Sequence, residues 1–575
     1  MANITVLANI RLLSGPRMIT LKEGENNKDF MMETSQISEA QSSLLEVAEG
    51  VHLPKAAWNK QAQQVLTPKL IDILAAVHRQ FNPRRLELLQ ERIARQAEYD
   101  MGDLPGYLDR QSIMVTGDWR VAPIPADLLK RRVEITGPVS SAKMVINMLS
   151  RNEDGVRADC AMLDFEDSMK PSWPNVIQGI ANVRAAVDGT LTFTDPRKPD
   201  KEYTLDPDDM PIVMVRVRGL HLAESNFIVD GEPISAGLFD FLCCLFHTGA
   251  KYVERGLTPK YYVPKCEHHL EAKWWNELFT VGQECAGLPV GTLRATFLIE
   301  TLPAAFQMEE ILYQIRAHAA GLNGGRWDKI FSDIKTLKFH ADRVLADRGT
   351  IDMKKPWMEK YAKRIIEICH ARGAFAMGGM SAFTPGKEPE VREQQLAKVT
   401  ADKRNEAAIG HDGCWVSHPF FIGPALAEFK HDNQLGRQSD LPDKYPDLLP
   451  QASGPRTEDG VRKNVRVGIA YMNGWIQDIG CVAWDGLMED LATLEISRAQ
   501  IWQWLHHNTV LDNGTAVTKT FVKKIFEEEY QKIIKEFPWT PEQIALWGTA
   551  RRQAEDIFLQ DQFPEFLCSA SDTAN

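Results

Sequence analysis

The sequence predicts an α/β protein built on a (β/α)8 TIM barrel. Eight short β-rich runs recur from about residue 130 onward. Helical or long connecting segments separate them, which implies parallel βα units. Charged or polar residues follow six of the eight runs, where a barrel gathers its active site on one face. A chain of 575 residues with 44% hydrophobic and 25% charged residues can bury such a core.

The runs, in order, are Val133-Glu-Ile-Thr136, Ala161-Met-Leu-Asp-Phe165, Ile212-Val-Met-Val-Arg216, Tyr261-Tyr-Val263, Ala295-Thr-Phe-Leu-Ile299, Ala319-Ala-Gly-Leu322, Ala374-Phe-Ala-Met377 and Cys414-Trp-Val416. Each is short and bounded by polar residues or Gly. The gaps after the second and third runs are long enough to hold insertions. The charged or polar residues at the strand ends are Glu166-Asp167, Arg216 and Arg218, Lys265 and Glu267, Glu300, Asp328, and Ser417-His418.

The flanks read as helical. Residues 1–60 form a polar, weakly patterned N-terminal extension, and the stretch before Met32 reads as dispensable. Residues 61–130 carry helical periodicity through Leu70, Ile73, Leu74, Val77, Leu86, Leu88 and Leu89, with Asn82-Pro83 predicted to separate two helices. The barrel with its insertions occupies 131–430, and a Pro- and Asp-rich linker covers 431–457. Residues 458–575 read as a C-terminal helical region. One helix has Val461, Val465, Ile469 and Met472 on one face, a second starts near Met488 and runs to about His507, and a third covers 517–536. A fourth opens on the capping box Thr540-Pro-Glu-Gln543.

Composition excludes several classes. The net charge is −12 and no long basic run breaks it, so nucleic acid and anionic membrane surfaces are poor partners. The most apolar stretch, Leu238–Phe246, is too short to span a bilayer. Nine Cys without a Cys-x-x-Cys motif suggest neither a disulfide framework nor a thiolate zinc site, and point to a cytoplasmic protein.

Glu300 and Asp328 are the candidate metal ligands, because two carboxylates on neighbouring strand ends make a hard-oxygen site suited to Mg²⁺. Glu166 and Asp167 are placed to support that site from behind. Arg216 ends its strand with a planar, permanently charged fork suited to an anionic oxygen. Arg218 has the same strand parity, so pleating does not choose between them; direct abutment on the strand favours Arg216. Asp490 falls at the first turn of a predicted helix, where the dipole favours an acidic residue whether or not it has chemistry to do.

Several segments resemble the A-type malate synthases. They are Gly117-Asp-Trp-Arg120, Asp164-Phe-Glu-Asp-Ser168, Arg216-Val-Arg-Gly219, Pro264-Lys265 with Glu267, Leu298-Ile-Glu300, His318 through Phe331, and Leu487-Met-Glu-Asp-Leu-Ala-Thr493. They run in order over most of the chain. Lys329 stands where the family more often has Tyr, and Val217 where it often has Pro. The resemblance implies a barrel, an N-terminal helical clasp and a C-terminal helical domain covering the barrel mouth. It implies condensation of acetyl-CoA with glyoxylate, then thioester hydrolysis to malate and CoA. It further implies Mg²⁺ on Glu300 and Asp328, the glyoxylate carboxylate on backbone amides near Arg326 and Trp327, Asp490 as the base, and Arg216 on the enolate oxygen. A malyl-CoA lyase-like enzyme and a non-catalytic binding barrel are the rival readings.

Overall fold

The computed structural model describes residues 43–437 and 440–568. Eight parallel strands close into a barrel: β1 (Val133–Pro138), β2 (Cys160–Asp164), β3 (Ile212–Arg216), β4 (Lys260–Val263), β5 (Arg294–Leu298), β6 (Ala319–Asn323), β7 (Phe375–Ser381) and β8 (Gly413–Val416). Each pairs with its sequence neighbours, and β8 returns to β1. All eight runs read from the sequence are strands, shifted by one or a few residues at their ends. Six of the eight are buried along their whole length. That is why they read as continuous apolar runs rather than alternating ones.

The two faces of the barrel wall build two cores. Inward side chains, among them Met162, Met214, Tyr262, Phe375 and Trp415, fill the lumen. Outward ones, such as Val213, Val263, Phe297 and Leu322, pack against the surrounding helices. The long gap after β2 holds the hairpin Thr192–Thr194 with Glu202–Thr204, and the gap after β3 holds Ala223–Val229 with Glu232–Ser235.

The N-terminal region departs from expectation in two ways. Leu44–Ala48 and Val51–Pro54, inside the stretch read as weakly patterned, form a hairpin that extends the β3 insertion into a four-stranded antiparallel sheet. Val51 and Leu53 are fully buried there. The two-residue alternation is legible in Val-His-Leu-Pro, but the run is too short to stand out among polar neighbours. The expectation about the stretch before Met32 lies outside the described residues.

The second departure is helix α1, which runs unbroken over Pro68–Asp100 with Pro83 inside it. Proline removes one helical hydrogen bond and crowds the preceding turn. Tertiary anchoring overrides that cost. Arg85 donates from Nε to the Leu220 carbonyl at 2.7 Å and from Nη2 to the Leu222 carbonyl at 2.9 Å. Trp274 Nε1 donates to the Phe81 carbonyl at 3.1 Å, and Arg92 grips Glu271 at 2.7 Å through both Nε and Nη2. The segment is anchored to the barrel on both sides of the proline.

Helix α2 (Trp327–Thr336) follows β6. Beyond the barrel lie α3 (Glu458–Ile476), α4 (Leu491–His506), α5 (Lys519–Glu536) and α6 (Pro541–Phe558). Val461, Val465, Ile469 and Met472 are buried in a second core with Ile501, Phe526 and Trp547. The capping box opening α6 is present: Gln543 N donates to Thr540 Oγ1 at 3.3 Å and Thr540 N to Gln543 Oε1 at 2.9 Å. Helix α4 starts later than Met488, because Leu487–Glu489 pairs as a strand with Val482–Trp484. Residue 490 is therefore the cap of α4 rather than part of its first turn.

Candidate active site

Helix α4 packs on α2 through Ile496 and Ala499 against Ile330, Phe331 and Ile334. The short hairpin before it is stitched to the barrel rim. Met488 N donates to the Ala382 carbonyl at 2.7 Å, and Leu491 N to the Asp167 carbonyl at 3.1 Å. These contacts hold Asp490 over the C-terminal ends of the strands. Beneath it lies a cavity of about 750 Å³ including its mouth, lined by Asp167, Arg216, Glu300, Asp328, Trp415 and Asp490 among others. Arg326 and Trp327 also line it. Of the residues given a metal, catalytic, substrate-binding or supporting role from the sequence, Glu166 alone does not; it faces the neighbouring smaller cavity.

Arg216 is set by its strand neighbour. Asp164 is its register partner across β2 and β3. Its carboxylate takes Arg216 Nε and Nη2 at 2.6 Å each. Burial alone would raise the Asp164 carboxyl, but Arg216 beside it and the Ser168 hydroxyl hold it below the usual range. Arg216 Nη1, unused by Asp164, lies 3.3 Å from Glu166. Arg218, by contrast, is consumed by Asp240 at 2.8 Å and Glu224 at 2.9 Å and is absent from the cavity lining. The structure thus separates two arginines that pleat parity left equivalent.

Lys265 is the centre that the sequence named only as a strand-end residue. Its Nζ meets Glu166 at 2.5 Å, Asp167 at 2.7 Å and Asp328 at 3.2 Å, and its backbone N donates to Glu300 Oε1 at 2.9 Å. It holds a left-handed backbone with φ of 53°, a conformation that costs energy in a non-glycine residue and recurs at functional sites. Glu166 and Asp167 therefore reach the Glu300–Asp328 pair through this ammonium, not directly. Asp164 was likewise missed. Its signal is the register with Arg216, which needs two strands to be aligned first.

Glu300 and Asp328 are under-satisfied. Glu300 Oε2 and Asp328 Oδ1 are buried without a hydrogen bond, the 3.2 Å approach of Lys265 to Asp328 lacking good geometry. Burial, then the nearby Asp328 charge, push the Glu300 carboxyl up to about 8 against the pull of Lys265. Burial also raises Asp328. Two desolvated carboxylates with spare lone pairs fit a hard cation that keeps its remaining positions for water or substrate. Among the described residues no group of three or more His, Cys, Asp or Glu forms a closed metal cage. Gly325 faces Glu300: a Cβ there would lie 3.2 Å from Glu300 Oε2.

The first turn of α2 is open. Its cap residue, Arg326, makes no side-chain cap hydrogen bond, so the leading amides are left for an anion at the positive end of the helix. The Arg326 guanidinium stacks on Trp327, 4.2 Å from the ring centroid.

Asp490 caps α4. Oδ1 accepts from Thr493 N at 3.3 Å, while Asp490 N donates to Thr493 Oγ1 at 3.0 Å. Its other oxygen makes no hydrogen bond among the described residues. Burial, then Asp167 and Asp328, push its carboxyl well above the usual range. Glu267, another strand-end carboxylate, is spent on Lys335 at 2.6 Å. Although buried, it is pulled down to about 2 by Lys335 and Arg92. His418 caps the short helix Pro419–Phe421 and stands outside the cavity lining.

Family models match three stretches of the chain: "Malate synthase, N-terminal domain" over residues 56–111, "Malate synthase, TIM barrel domain" over 212–445, and "Malate synthase, C-terminal" over 455–573. Malate synthase A of Escherichia coli is 44% identical over 518 residues, 89% of this chain and 95% of its own. The chain belongs to the malate synthase family. Other malate synthases agree: that of Myxococcus xanthus is 44% identical over 89% of this chain and 94% of its own, and that of Streptomyces clavuligerus 41% over 88% and 94%. Malate synthases are acyltransferases, and the cavity between barrel rim and α4 is where this member's acidic cluster, Arg216 and Asp490 meet. No helix among the described residues is long and apolar enough to cross a membrane.

Proposed function

We propose that the protein condenses acetyl-CoA with glyoxylate and then hydrolyses the thioester, releasing malate and CoA, with Mg²⁺ bound at Glu300 and Asp328. One observation carries this reading. A desolvated carboxylate with one free oxygen, Asp490, faces the same cavity as an oriented guanidinium and an under-satisfied carboxylate pair. A thioester methyl is a weak acid, so its removal needs a base of raised pKa and a cation where charge develops.

Asp490 takes the methyl proton on the oxygen not used by the cap. Arg216 donates from Nη1 to the thioester oxygen as it gains charge, while Asp164 holds the other two nitrogens and keeps the fork from turning. Glu300 and Asp328 would hold Mg²⁺, which when bound supplies Lewis-acid polarisation of the aldehyde. The leading amides of α2 receive the glyoxylate carboxylate. Lys265 keeps Glu166 and Asp167 neutralised beside the ligands. Helix α4 and its hairpin exclude water from the mouth, which strengthens each of these interactions. We assign the protein to the cytoplasm; seven of its nine cysteines are buried and none sits in a Cys-x-x-Cys motif.

Mixing the protein with acetyl-CoA, glyoxylate and Mg²⁺ and following free CoA thiol tests the assignment. Thiol release that requires glyoxylate is expected. Consumption of glyoxylate with the thioester intact would make it a lyase-like enzyme, and no reaction at all would leave a binding barrel.

A further inference from the structure

The planar fork of Arg216 is held edge-on by Asp164, with Glu166 3.3 Å and Asp167 3.8 Å from Nη1. Trp415 adds a contact on its face. The Arg216 guanidinium carbon lies 5.7 Å from the Trp415 ring centroid, over its face. Trp415, the penultimate residue of β8, lines the cavity and is 5% exposed. Its own position is fixed from below. Indole Nε1 donates to Glu134 Oε2 at 2.8 Å, and the Tyr262 ring meets the indole edge-on at 5.1 Å.

Glu134 is wholly buried, on β1. An isolated carboxylate there would be prohibitive. Arg131 neutralises it, donating from Nε to Glu134 Oε1 at 2.8 Å. The remaining Arg131 nitrogens are spent on Thr296 Oγ1 at 3.0 Å and Tyr262 OH at 2.8 Å, and the Tyr262 hydroxyl donates to Glu134 Oε2 at 2.5 Å. This network ties β1, β4, β5 and β8 together at the barrel floor. Its single outlet toward the cavity is the indole face under Arg216. A filled barrel needs only apolar side chains at this level. A buried charged network here fixes orientation rather than adding bulk.

We propose that Trp415, braced by Glu134, is a positioning residue: it holds the Arg216 guanidinium flat so that Nη1 points at the oxygen that gains charge. This rests on the role assigned to Arg216 above. The test is a double-mutant cycle on turnover in the Mg²⁺-loaded enzyme, measured by CoA thiol release. Trp415→Leu removes the face; Arg216→Gln removes the cation. Loss of a desolvated cation–aromatic contact predicts a fall of about 3- to 30-fold in kcat for Trp415→Leu, with KM for glyoxylate unchanged. In the Arg216→Gln background the same change should cost less than about twofold, because the contact is already gone. An equal factor in both backgrounds would show that the ring acts by shape alone and would overturn the proposal. So would an undiminished Trp415→Leu rate. Full turnover in Arg216→Gln by itself would instead remove the role assigned to Arg216. If Trp415→Leu does not fold, Trp415→Phe, which keeps one aromatic ring but loses the hydrogen bond to Glu134 and half of the indole face, runs through the same cycle; a loss that shrinks in the Arg216→Gln background supports the proposal, and an equal factor in both overturns it.

Discussion

Replacing Asp490 with Asn separates the two jobs this residue combines. As a helix cap, Asn is the equal of Asp: its side-chain oxygen can still accept from Thr493 N, now at 3.3 Å, and Asp490 N can still donate to Thr493 Oγ1. Removing the charge also relieves repulsion from Asp167 and Asp328, which the buried carboxylate feels in the folded protein. The melting temperature should therefore hold within about 2 °C or rise. As a base, Asn fails, since its amide oxygen cannot take a methyl proton at a useful rate. Loss of general-base catalysis predicts a fall of about 10²- to 10⁴-fold in turnover. The assay is CoA thiol release, paired with exchange of acetyl-CoA methyl protons in deuterated water with Mg²⁺ and a non-reacting glyoxylate analogue. Near-normal malate formation by Asp490→Asn would refute the reasoning and reduce Asp490 to a cap. Glu267 would not inherit the role easily, because Lys335 and Arg92 hold it ionised as a weak base near 2.

Arg216→Lys should lower turnover by about 10²- to 10³-fold with the fold intact. Arg218→Lys should instead lower the melting temperature, because Arg218 is gripped by Asp240 and Glu224; a larger rate loss in Arg218→Lys would reverse the assignment. Stripping divalent cations with EDTA should abolish activity and Mg²⁺ restore it; full activity without metal, or rescue by Zn²⁺ alone, contradicts the carboxylate site. Mg²⁺ at a hundredfold excess over Kd should add about 2.7 kcal/mol of stability, a gain missing in Glu300→Gln. A chain starting at Met32 should match the full chain in melting temperature and turnover. A chain starting at Lys55 should not, since it loses Val51 and Leu53, both 0% exposed, at about 1.5–3 kcal/mol each.

The barrel was legible because a parallel strand buried on both faces leaves a local mark: a short apolar run with a polar end. Even the weakest run, Ala319–Leu322, is a strand. Its Gly321 is required where Phe375 of β7 approaches, as a Cβ would lie 2.2 Å from that carbonyl oxygen. What was not legible is pairwise. Asn82-Pro83 reads as a helix break, and only Arg85, Trp274 and Arg92, arriving from elsewhere, keep α1 whole. Arg216 and Arg218 are alike in sequence and are told apart by which carboxylates face them. Lys265 looks like any strand-end lysine until Glu166, Asp167, Asp328 and Glu300 converge on it from three other strand ends. Strand existence is a local property; the charge state of a cluster is not.

Asp490 shows how opposing local effects set one quantity. Its place at the head of α4, the Thr493 amide and Arg216 all favour the ionised form. Burial favours the neutral form, and so do the charges of Asp167 and Asp328. Burial and the two carboxylates win, so the folded-state pKa lies above the ordinary carboxylate range. The sign for catalysis follows directly. Only the ionised carboxylate can accept the methyl proton, so turnover should fall as pH drops through the raised value, earlier than an ordinary Asp would allow. The sign for stability is opposite. A carboxyl whose pKa is raised on folding favours the folded state at low pH. That contribution is lost as pH rises from the unfolded value toward the folded one. Asp167→Asn removes the largest charge that raises Asp490. It should move the acid limb of kcat to lower pH while leaving the Asp490 cap intact. A limb that stays in place, with the melting temperature little changed, would mean that the base is tuned by burial and Asp328 without Asp167.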